Sequence, residues 1–344
     1  MTSVATVGTA PYRTVLTHGM ILDMEKRKMS KSLGNGISPQ AVMKQYGADV
    51  LRLWVASCDY QSDVSISFDI LKQLSEAYRK IRNTARYILG NLSDFDPDTD
   101  MVPLDQLLPI DKWAIATLND LIKKVTDSYN NYEFHIVYHS IHNFCVVDMS
   151  NFYLDVLKDR LYTEKADGLS RKAAQTTIYL ILNAMTKMLA PILAYTSDEI
   201  WKYMPHAAGE EASHVIFNEM PKTLDFAVED GFMAFWDEIH ALRDDVKKAI
   251  EPLMKDKTIK GSLEAKVTLA AGGEKLAFLR KAQDELAAAF IVSEVAIVDN
   301  GGELAVTVEK AEGEKCERCW SVSKTVGQNS DHPTLCARCC EILK

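Results

Sequence analysis

The middle of the chain has the hydrophobic periodicity of α-helices. In segment 170–204, apolar side chains recur every three or four positions and therefore align on one helical face. The residues on this face are Ile178, Ile181, Met185, Met188 and Ile192. Three similar runs, over 69–91, 110–129 and 133–162, predict three more helices. Four long amphipathic helices in succession indicate a bundle, and Pro191 is expected to kink the last helix.

Shorter elements are predicted before the bundle. Strand-like runs occur at Arg13–Leu16 and Met20–Leu22. Ser38-Pro39 is a typical helix start and Gly47 a suitable helix end, so one short helix is predicted between them. A second short helix is predicted over 49–57.

The segment after the bundle has the pattern of a small α/β unit. Residues 205–225 look like a linker, and a charged amphipathic helix is predicted over 230–256. Alternating apolar positions then predict a strand, a helix and two further strands, at 263–269, 274–289, 291–298 and 304–308. Asn300-Gly301 between the last two strands predicts a β-hairpin.

The composition is that of a folded protein with more than one domain. With 344 residues, 47% apolar and 25% charged, the chain is too long for one ordinary core and too apolar to be disordered. A net charge of −9 means that any RNA contact needs local basic patches. No apolar run reaches the roughly 18 residues that span a bilayer, and no export signal is found. These features predict a cytoplasmic protein without a membrane partner.

A loop at 26–36 carries two lysines in the string Lys28-Met29-Ser30-Lys31-Ser32. Two ammonium groups three residues apart, with hydroxyls beside them, can surround the phosphates of a nucleotide. A mobile lysine that meets the pyrophosphate charge only in the transition state would accelerate nucleotidyl transfer. A solvated basic loop is the alternative, and residue types alone favour it.

Four of the seven cysteines form two Cys-x-x-Cys pairs near the C-terminus. Sixteen residues separate the pair Cys316 and Cys319 from the pair Cys336 and Cys339. This spacing is typical of a structural zinc site in which four thiolates surround one ion. A redox dithiol is the weaker alternative, because it needs only one pair.

Two arginines, a fifth cysteine and a tryptophan lie beside the two cysteine pairs. Arg318 and Arg338 each precede the second cysteine of a pair, where they would offset the negative charge of a thiolate cage. Cys340 is expected to be a bystander, although its position next to Cys339 leaves open which of the two is a ligand. Trp320 could stack on a nucleotide or pack against the tail.

The first predicted helix of the bundle has a basic face. Lys72, Arg79, Arg82 and Arg86 recur at spacings of seven, three and four residues, which places them on one side of helix 69–91. Such a stripe suits an RNA backbone, although a solvated helix face is the more common outcome. Four more basic residues could extend this surface, namely Lys158, Arg160, Arg171 and Lys172.

The string from Lys28 to Ser32 is the KMSKS signature of class I aminoacyl-tRNA synthetases, and other strings resemble that family too. Ala48–Arg52 is similar to the short helix that follows this loop in the family. Five strings resemble the anticodon-binding domain of the Ile, Val, Leu and Met group: Arg52–Ser57, Phe152–Asp155, Lys158–Tyr162, Ala190-Pro191 and Asp198–Trp201. The Cys-x-Arg-Cys-Trp start of the tail resembles the bacterial-type isoleucine enzymes. The resemblance covers essentially the whole chain and corresponds to the C-terminal part of such an enzyme.

The resemblance implies a mainly α-helical protein of four parts. These are a remnant of a class I, Rossmann-type catalytic domain with the KMSKS loop at 1–68, a helical anticodon-binding domain at 69–225, a small α/β junction domain at 226–312 and a zinc ribbon at 313–344.

The resemblance also implies roles for individual residues. Lys31 would contact the phosphates of ATP and Lys28 would help to close the loop, with Ser30 and Ser32 beside them. One structural zinc ion would be held by Cys316, Cys319, Cys336 and Cys339. The candidate contacts to tRNA are Lys72, Arg79, Arg82, Arg86 and Trp320.

The implied activity is ATP-dependent attachment of isoleucine to tRNA(Ile) through an aminoacyl-adenylate, by a monomer that uses Mg²⁺ with ATP. Class I enzymes also need a His-x-Gly-His signature, and only His18-Gly19 occurs here, in another context. The chain alone is therefore expected not to form adenylate, and we interpret it as a C-terminal fragment. Two alternatives stay open, a freestanding RNA-binding module without catalysis and a relative of the valyl or leucyl enzymes.

Overall fold

The computed structural model describes all 344 residues, and the first of its elements are short. Helix α1 (Thr2–Val7) is followed by strand β1 (Ile21–Leu22), which pairs in parallel with β2 (Val64–Ser65). The predicted strand at Arg13–Leu16 does not form, because no strand lies beside that segment to exchange backbone hydrogen bonds with it.

Two short helices follow the lysine loop, as the sequence predicted. They are α2 (Pro39–Tyr46) and α3 (Ala48–Ser57). Ser38 caps the first, since its Oγ accepts a hydrogen bond from the N–H of Ala41 at 3.2 Å. Gly47 separates the two helices with a φ of 89°, a left-handed value that glycine adopts without strain.

Six α-helices form the bundle, and two of the four predicted long helices are divided in the structure. The six are α4 (Phe68–Gly90), α5 (Pro109–Asn130), α6 (Phe134–Asn143), α7 (Leu154–Thr163), α8 (Leu169–Leu189) and α9 (Ala194–Tyr203). A π-helical segment, Phe144–Tyr153, joins α6 to α7 and buries several large side chains, including Phe152. Apolar periodicity cannot distinguish such a segment from a continuous α-helix, so the sequence predicted one helix over 133–162.

Pro191 ends a helix instead of kinking it. Proline has no N–H to donate to the preceding turn, and α8 stops at Leu189 before the chain restarts as α9. The break leaves the carbonyls of Pro191 and Ile192 without helical partners. The guanidinium of Arg52 on α3 donates to both, at 2.7 and 2.8 Å. This contact ties the short N-terminal helices to the bundle.

The α/β unit consists of two helices and a three-stranded sheet. Its elements are α10 (Phe232–Lys255), β3 (Ala265–Ala271), α11 (Gly273–Phe290), β4 (Glu294–Asp299) and β5 (Ala305–Lys310). The strand order is β4-β3-β5, with β4 parallel and β5 antiparallel to β3. The strands predicted from the sequence are therefore confirmed, but their pairing is not.

The predicted hairpin between β4 and β5 is wrong. The β3–α11–β4 crossover pairs β4 with one edge of β3, and β5 pairs with the other edge of β3 instead of the outer edge of β4. This order places β3, the strand whose alternate residues are fully buried, in the centre. The loop with Asn300 and Gly301 crosses the end of β3, where Gly302 O accepts from Gly272 N at 2.8 Å. A Cβ on Gly272 would lie 2.6 Å from the carbonyl carbon of Gly301, so this crossing requires glycine.

One hydrophobic core of 62 buried residues runs from α2 through the bundle into the α/β unit. Trp236 on α10 is fully buried, and its ring lies 6.2 Å from those of both Trp113 on α5 and Phe152. The segment predicted as a linker also packs on the bundle, since Glu211 O accepts from Trp201 Nε1 at 3.1 Å.

The C-terminal residues 313–344 have almost no apolar core of their own. They form β6 (Glu314–Lys315), which pairs with β7 (Val322–Ser323), and a short helix α12 (Ala337–Ile342). Their buried cluster consists of four cysteines. None of the helices in the protein combines the length and apolar character needed to cross a bilayer.

Candidate nucleic-acid interface and metal centre

The lysine loop is held by hydrogen bonds between Asp23, at its start, and Asn35, at its end. Asp23 Oδ2 accepts from Asn35 Nδ2 at 2.8 Å, and Asn35 Oδ1 accepts from the N–H of Ser30 at 2.9 Å. Asp23 Oδ1 accepts from the N–H groups of Glu25 and Arg27, both at 2.9 Å. The bond from Asn35, followed by that from the Arg27 backbone, lowers the pKa of Asp23 to about 2. The pair is referred to as the Asp23–Asn35 clasp.

The clasp leaves both lysines of the loop exposed and without an acidic partner. Lys28 and Lys31 form no ion pair, and the N–H of Gly34 closes a turn on Lys31 O at 3.3 Å. Ser30 Oγ and Ser32 Oγ lie 3.1 Å apart at the same tip. Two free ammonium groups and two hydroxyls on one exposed turn suit a polyphosphate ligand. These four residues were expected from the sequence, but the clasp was not, because its two residues are twelve positions apart and meet only when the loop folds back.

A row of three open cavities follows the basic face of α4. The first, of about 600 Å³, lies between α3, α4 and α9, and the second, of about 750 Å³, shares Tyr46, Val50, Tyr78 and Arg82 with it. The third, of about 520 Å³, shares Arg86 with the first. This row is referred to as the α4 groove. All four predicted basic residues line it: Lys72, Arg79, Arg82 and Arg86.

Most of the basic residues in the α4 groove are free to bind an anion. Arg79 pairs with Glu76 at 2.9 Å, whereas Lys72, Arg82 and Arg86 have no ion-pair partner. Two acidic residues, Asp49 and Glu199, also line the first cavity. The Asp49 carboxylate is already engaged, because it accepts from the N–H and the hydroxyl of Thr196 at 2.7 and 2.6 Å. Four basic residues thus face three acidic ones, Asp49, Glu76 and Glu199, so the first two cavities carry a small net positive charge on an acidic protein.

Tyrosine side chains line the α4 groove beside these cations. They are Tyr46, Tyr78, Tyr87, Tyr162, Tyr195 and Tyr203. Tyr195 and Tyr203 are 72% and 65% exposed, so their rings can contact a ligand. Stacking rings next to unpaired cations are the combination that binds single-stranded nucleic acid. Four of the six belong to α2, α7 and α9, and no pattern along α4 could have predicted them.

Three of the four residues predicted to extend the basic surface are largely buried in ion pairs and do not extend it, whereas the fourth, Lys158, is 55% exposed. Arg160 is only 12% exposed, and its two Nη atoms donate to the fully buried carboxylate of Asp111 at 2.8 and 2.7 Å. Tyr153 Oη donates to the same carboxylate at 2.7 Å. The other pairs are Arg171 with Asp94 at 2.8 Å, Lys172 with Asp100 at 2.7 Å and Lys158 with Asp155 at 2.6 Å. The Arg160 pair joins α7 to α5, the Arg171 and Lys172 pairs join α8 to segment 94–100, and the Lys158 pair lies within α7.

The two Cys-x-x-Cys pairs converge on one point in the tail. The Sγ atoms of Cys316, Cys319, Cys336 and Cys339 all lie within 4.8 Å of one another, and all four residues are buried. Four converging thiols with no competing oxygen ligand form the donor set of a structural zinc site. Cys340 lies outside this set, and its thiol points to Leu335 O at 3.9 Å. The choice between Cys339 and Cys340, open in the sequence, falls on Cys339.

Backbone N–H groups around the first cysteine favour its ionised form. Burial opposes ionisation of the Cys316 thiol, but the N–H groups of Cys319, Cys336 and Arg318 outweigh burial and lower its pKa to about 6. Burial, followed by the charge of Cys319, raises the pKa of Cys339. A cage in which one thiolate opposes the ionisation of the next is a good fit for a divalent cation, which removes that repulsion.

The two arginines and the tryptophan of the tail have different surroundings. Arg338 forms a bidentate pair with Asp159 on α7, at 2.6 and 2.7 Å, whereas Arg318 has no acidic partner. Trp320 is 61% exposed at a positive φ of 66°, with Lys315 Nζ 5.6 Å from its ring. Its ring is therefore not buried against the tail, which was one of the two sequence-based interpretations.

Three family models match successive parts of the chain. Residues 1–67 match tRNA synthetases class I (I, L, M and V), residues 111–269 match the anticodon-binding domain of tRNA ligase, and residues 313–341 match the zinc finger found in FPG and IleRS. Isoleucine–tRNA ligases of Syntrophotalea carbinolica and Caldanaerobacter subterraneus subsp. tengcongensis are each 50% identical to this chain, over 100% and 98% of its length. The chain belongs to the isoleucine–tRNA ligase family.

The match to this family covers only part of its members. The chain spans 38% of the length of both relatives, and the same share of the isoleucine–tRNA ligase of Geobacter sulfurreducens, which is 48% identical. Among solved structures, the chain is similar to Mycobacterium tuberculosis methionyl-tRNA synthetase in complex with methionyl-adenylate, at 19% identity and a TM-score of 0.49 over 58% of this chain and 40% of that one. By the family models, the lysine loop lies in the matched segment 1–67 and the thiol cluster in 313–341, whereas α4 lies between the matched segments.

Proposed function

We propose that this chain supplies the phosphate-contacting loop and a tRNA-binding surface to an isoleucine–tRNA ligase. The reaction is the ATP-dependent attachment of isoleucine to tRNA(Ile) through an aminoacyl-adenylate. The observation that carries the proposal is the presence, in one chain of this family, of a free lysine loop and an unpaired cationic groove with exposed tyrosines. One binds a polyphosphate and the other a nucleic-acid backbone.

The lysine loop acts on the phosphates of ATP in this proposal. As the isoleucine carboxylate attacks the α-phosphate, negative charge develops on the departing pyrophosphate. Lys31 meets that charge at the exposed tip, and Lys28 assists from the base of the loop. Ser30 and Ser32 bind the same phosphate oxygens through their hydroxyls. Mg²⁺ accompanies ATP. We place the sites for adenosine and isoleucine in the remaining part of the enzyme, outside the 38% of its relatives that this chain spans.

The thiol cluster holds one structural zinc ion in this proposal, with Cys316, Cys319, Cys336 and Cys339 as its ligands. Zinc supplies a tetrahedral cross-link where residues 313–344 lack an apolar core. Free thiols suit a reducing compartment, so we propose a cytoplasmic location, and we propose a monomer from the family resemblance alone.

Binding of tRNA to the α4 groove is tested by substitution of its unpaired cations. The variant Arg82→Ala is expected to weaken binding of an isoleucine-accepting tRNA about three- to tenfold and to reduce the salt slope by about 1. The matched control is Arg280→Ala, an exposed and unpaired arginine on α11 that lines none of the three cavities. Filter binding at fixed salt, with a valine-accepting tRNA for comparison, measures both quantities. Equal loss in both variants would remove the groove from the proposal.

A freestanding RNA-binding module is the alternative, although the matches to synthetase models over residues 1–67 and 111–269 favour a component of the enzyme. Isoleucine-dependent pyrophosphate exchange separates the candidates. The isolated chain is expected to show none, and addition of the remaining part of a family enzyme restores exchange only if this chain is a catalytic component. Exchange by the isolated chain at the rate of an intact enzyme contradicts our assignment of the active site.

A further inference from the structure

The thiol-cluster segment, residues 313–344, touches the helical bundle through a single polar contact. Arg338 Nη1 and Nη2 donate to Asp159 Oδ2 and Oδ1 at 2.6 and 2.7 Å, across 179 positions of sequence. No other hydrogen bond or ion pair joins the segment to helices α4–α9. Its other polar contacts are with the α/β unit, where Ser293 Oγ accepts from the N–H of Val322 at 2.8 Å and Lys324 pairs with Glu312 at 2.5 Å. Because the other polar contacts of the segment are all with the α/β unit, the Arg338–Asp159 contact is needed to fix its position relative to the bundle.

Both partners of this contact are oriented before they meet. Asp159 lies on α7, and its Oδ1 also accepts from the buried hydroxyl of Thr163 at 3.1 Å. Arg338 lies between two cysteines of the thiol cluster, on the short helix α12. A planar guanidinium that meets a carboxylate with two parallel hydrogen bonds specifies direction as well as distance.

The contact lies beside one end of the α4 groove. Tyr162 is three residues beyond Asp159, so the two side chains are neighbours on the surface of α7. Tyr162 lines the third cavity together with Arg86. A change at Asp159 therefore alters the place where the thiol-cluster segment meets the groove.

We propose that Asp159 and Arg338 are positioning residues that dock the thiol-cluster segment against the end of the α4 groove. The groove and the exposed Trp320 of the segment can then bind one RNA. The inference rests on the proposed tRNA binding and adds a device for it. Neither residue needs to contact RNA, since the effect passes through the position of the segment. Two linked surfaces bind one ligand more tightly than either alone, and the gain is lost when their geometry is lost.

The test uses the opposite signs of two effects. Asp159→Asn removes a negative charge next to the groove, and simple electrostatics predicts tighter RNA binding. Loss of docking predicts weaker binding, by about tenfold for an isoleucine-accepting tRNA at fixed salt. Arg338→Gln is expected to weaken binding similarly. The control is Arg318→Gln at the equivalent position of the first cysteine pair. It removes the same charge from an arginine that has no acidic partner, and it is expected to weaken binding less. The double variant that combines Asp159→Arg with Arg338→Asp re-forms the ion pair with its charges reversed, and it is expected to restore most of the affinity for tRNA.

Two further measurements separate this proposal from general failure. Zinc content by mass spectrometry is expected to stay at one ion per chain in every variant, which excludes loss of the metal site. Hydrogen exchange of segments 154–163 and 336–342 reports docking without RNA, and it is expected to increase only in the single variants Asp159→Asn and Arg338→Gln. If the wild type does not bind tRNA, the proposed function fails while this readout still decides docking. Unchanged exchange, or tighter tRNA binding by Asp159→Asn, overturns the proposal.

Discussion

The helical bundle and the thiol-cluster segment are stabilised in opposite ways. The bundle shares a core of 62 buried residues with the neighbouring α/β unit, so its stability is the sum of many apolar contacts. Residues 313–344 bury four cysteines as their own cluster and little else. Small segments of this kind depend on a metal or a cross-link to fold. The bundle is therefore expected to stay folded after the loss of one side chain, whereas residues 313–344 are expected to unfold after the loss of one ligand.

The largest expected effect is therefore the loss of one ligand in the thiol cluster. Cys316→Ser is expected to abolish binding of the single zinc ion and to unfold residues 313–344, because structural zinc contributes on the order of 10–16 kcal/mol to such folds. Mass spectrometry of the native chain and hydrogen exchange measure the two effects.

The matched control for that variant is Cys340→Ser, which removes a buried thiol outside the cluster. It is expected to retain one zinc ion and the exchange pattern of the wild type. Loss of zinc in this control would mean that the ligand set includes Cys340.

A smaller but still large effect is expected where the bundle buries charge. Asp111→Ala leaves Arg160, which is 12% exposed, without its bidentate partner. Removal of one member of a buried pair costs about 3–5 kcal/mol of the free energy of unfolding, since the remaining charge stays desolvated. Urea denaturation followed by helical circular dichroism measures this loss.

Asp111→Ala is expected to remain folded under native conditions, because many apolar contacts stabilise the bundle. Asp120→Ala, which breaks an exposed pair with Lys123, serves as the control and is expected to cost less than about 1 kcal/mol. A bundle that unfolds completely in Asp111→Ala under native conditions would contradict the view that its stability is widely distributed.

The smallest effect is expected in the lysine loop, which has neither a core nor a metal. Asn35→Ala removes the hydrogen bonds to Asp23 and Ser30, so tryptic cleavage after Lys31 is expected to accelerate about fivefold while the overall fold persists. Asn329→Ala, which removes one local hydrogen bond in another loop, is expected to leave that rate unchanged.

The same clasp has a pH dependence with a definite sign. The pKa of Asp23 is about 2, below its ordinary value of 3.8, so its ionised form is favoured by the folded loop. The stabilisation is complete above about pH 4 and is lost as the pH falls through 2. Hydrogen exchange of the Ser30 amide follows this release, and release near neutral pH would contradict the clasp.

Local patterns predicted much of the fold because neighbouring residues decide those features. Ser38 and Gly47 delimit α2 as expected, since a cap and a left-handed glycine act within one helical turn. The spacing of the cysteine pairs predicted the four-thiol cluster, because a Cys-x-x-Cys turn brings its two thiols together. The hairpin predicted at Asn300-Gly301 does not form, because β5 pairs with β3 and not with β4. Packing across the sheet decided this pairing, and the two turn residues did not.

Spacings of a few residues were enough to predict where the chain is helical, the exposed lysine loop and three of the four cysteines of the metal centre, whereas the fourth ligand and the divisions within two helices came from the structure. Only the tertiary structure decided which basic residues remain free. Arg82 faces an open groove, whereas Arg160 meets a buried carboxylate that lies 49 positions away in the sequence. Charge type is a property of the residue, but the availability of that charge depends on the groups that packing places beside it.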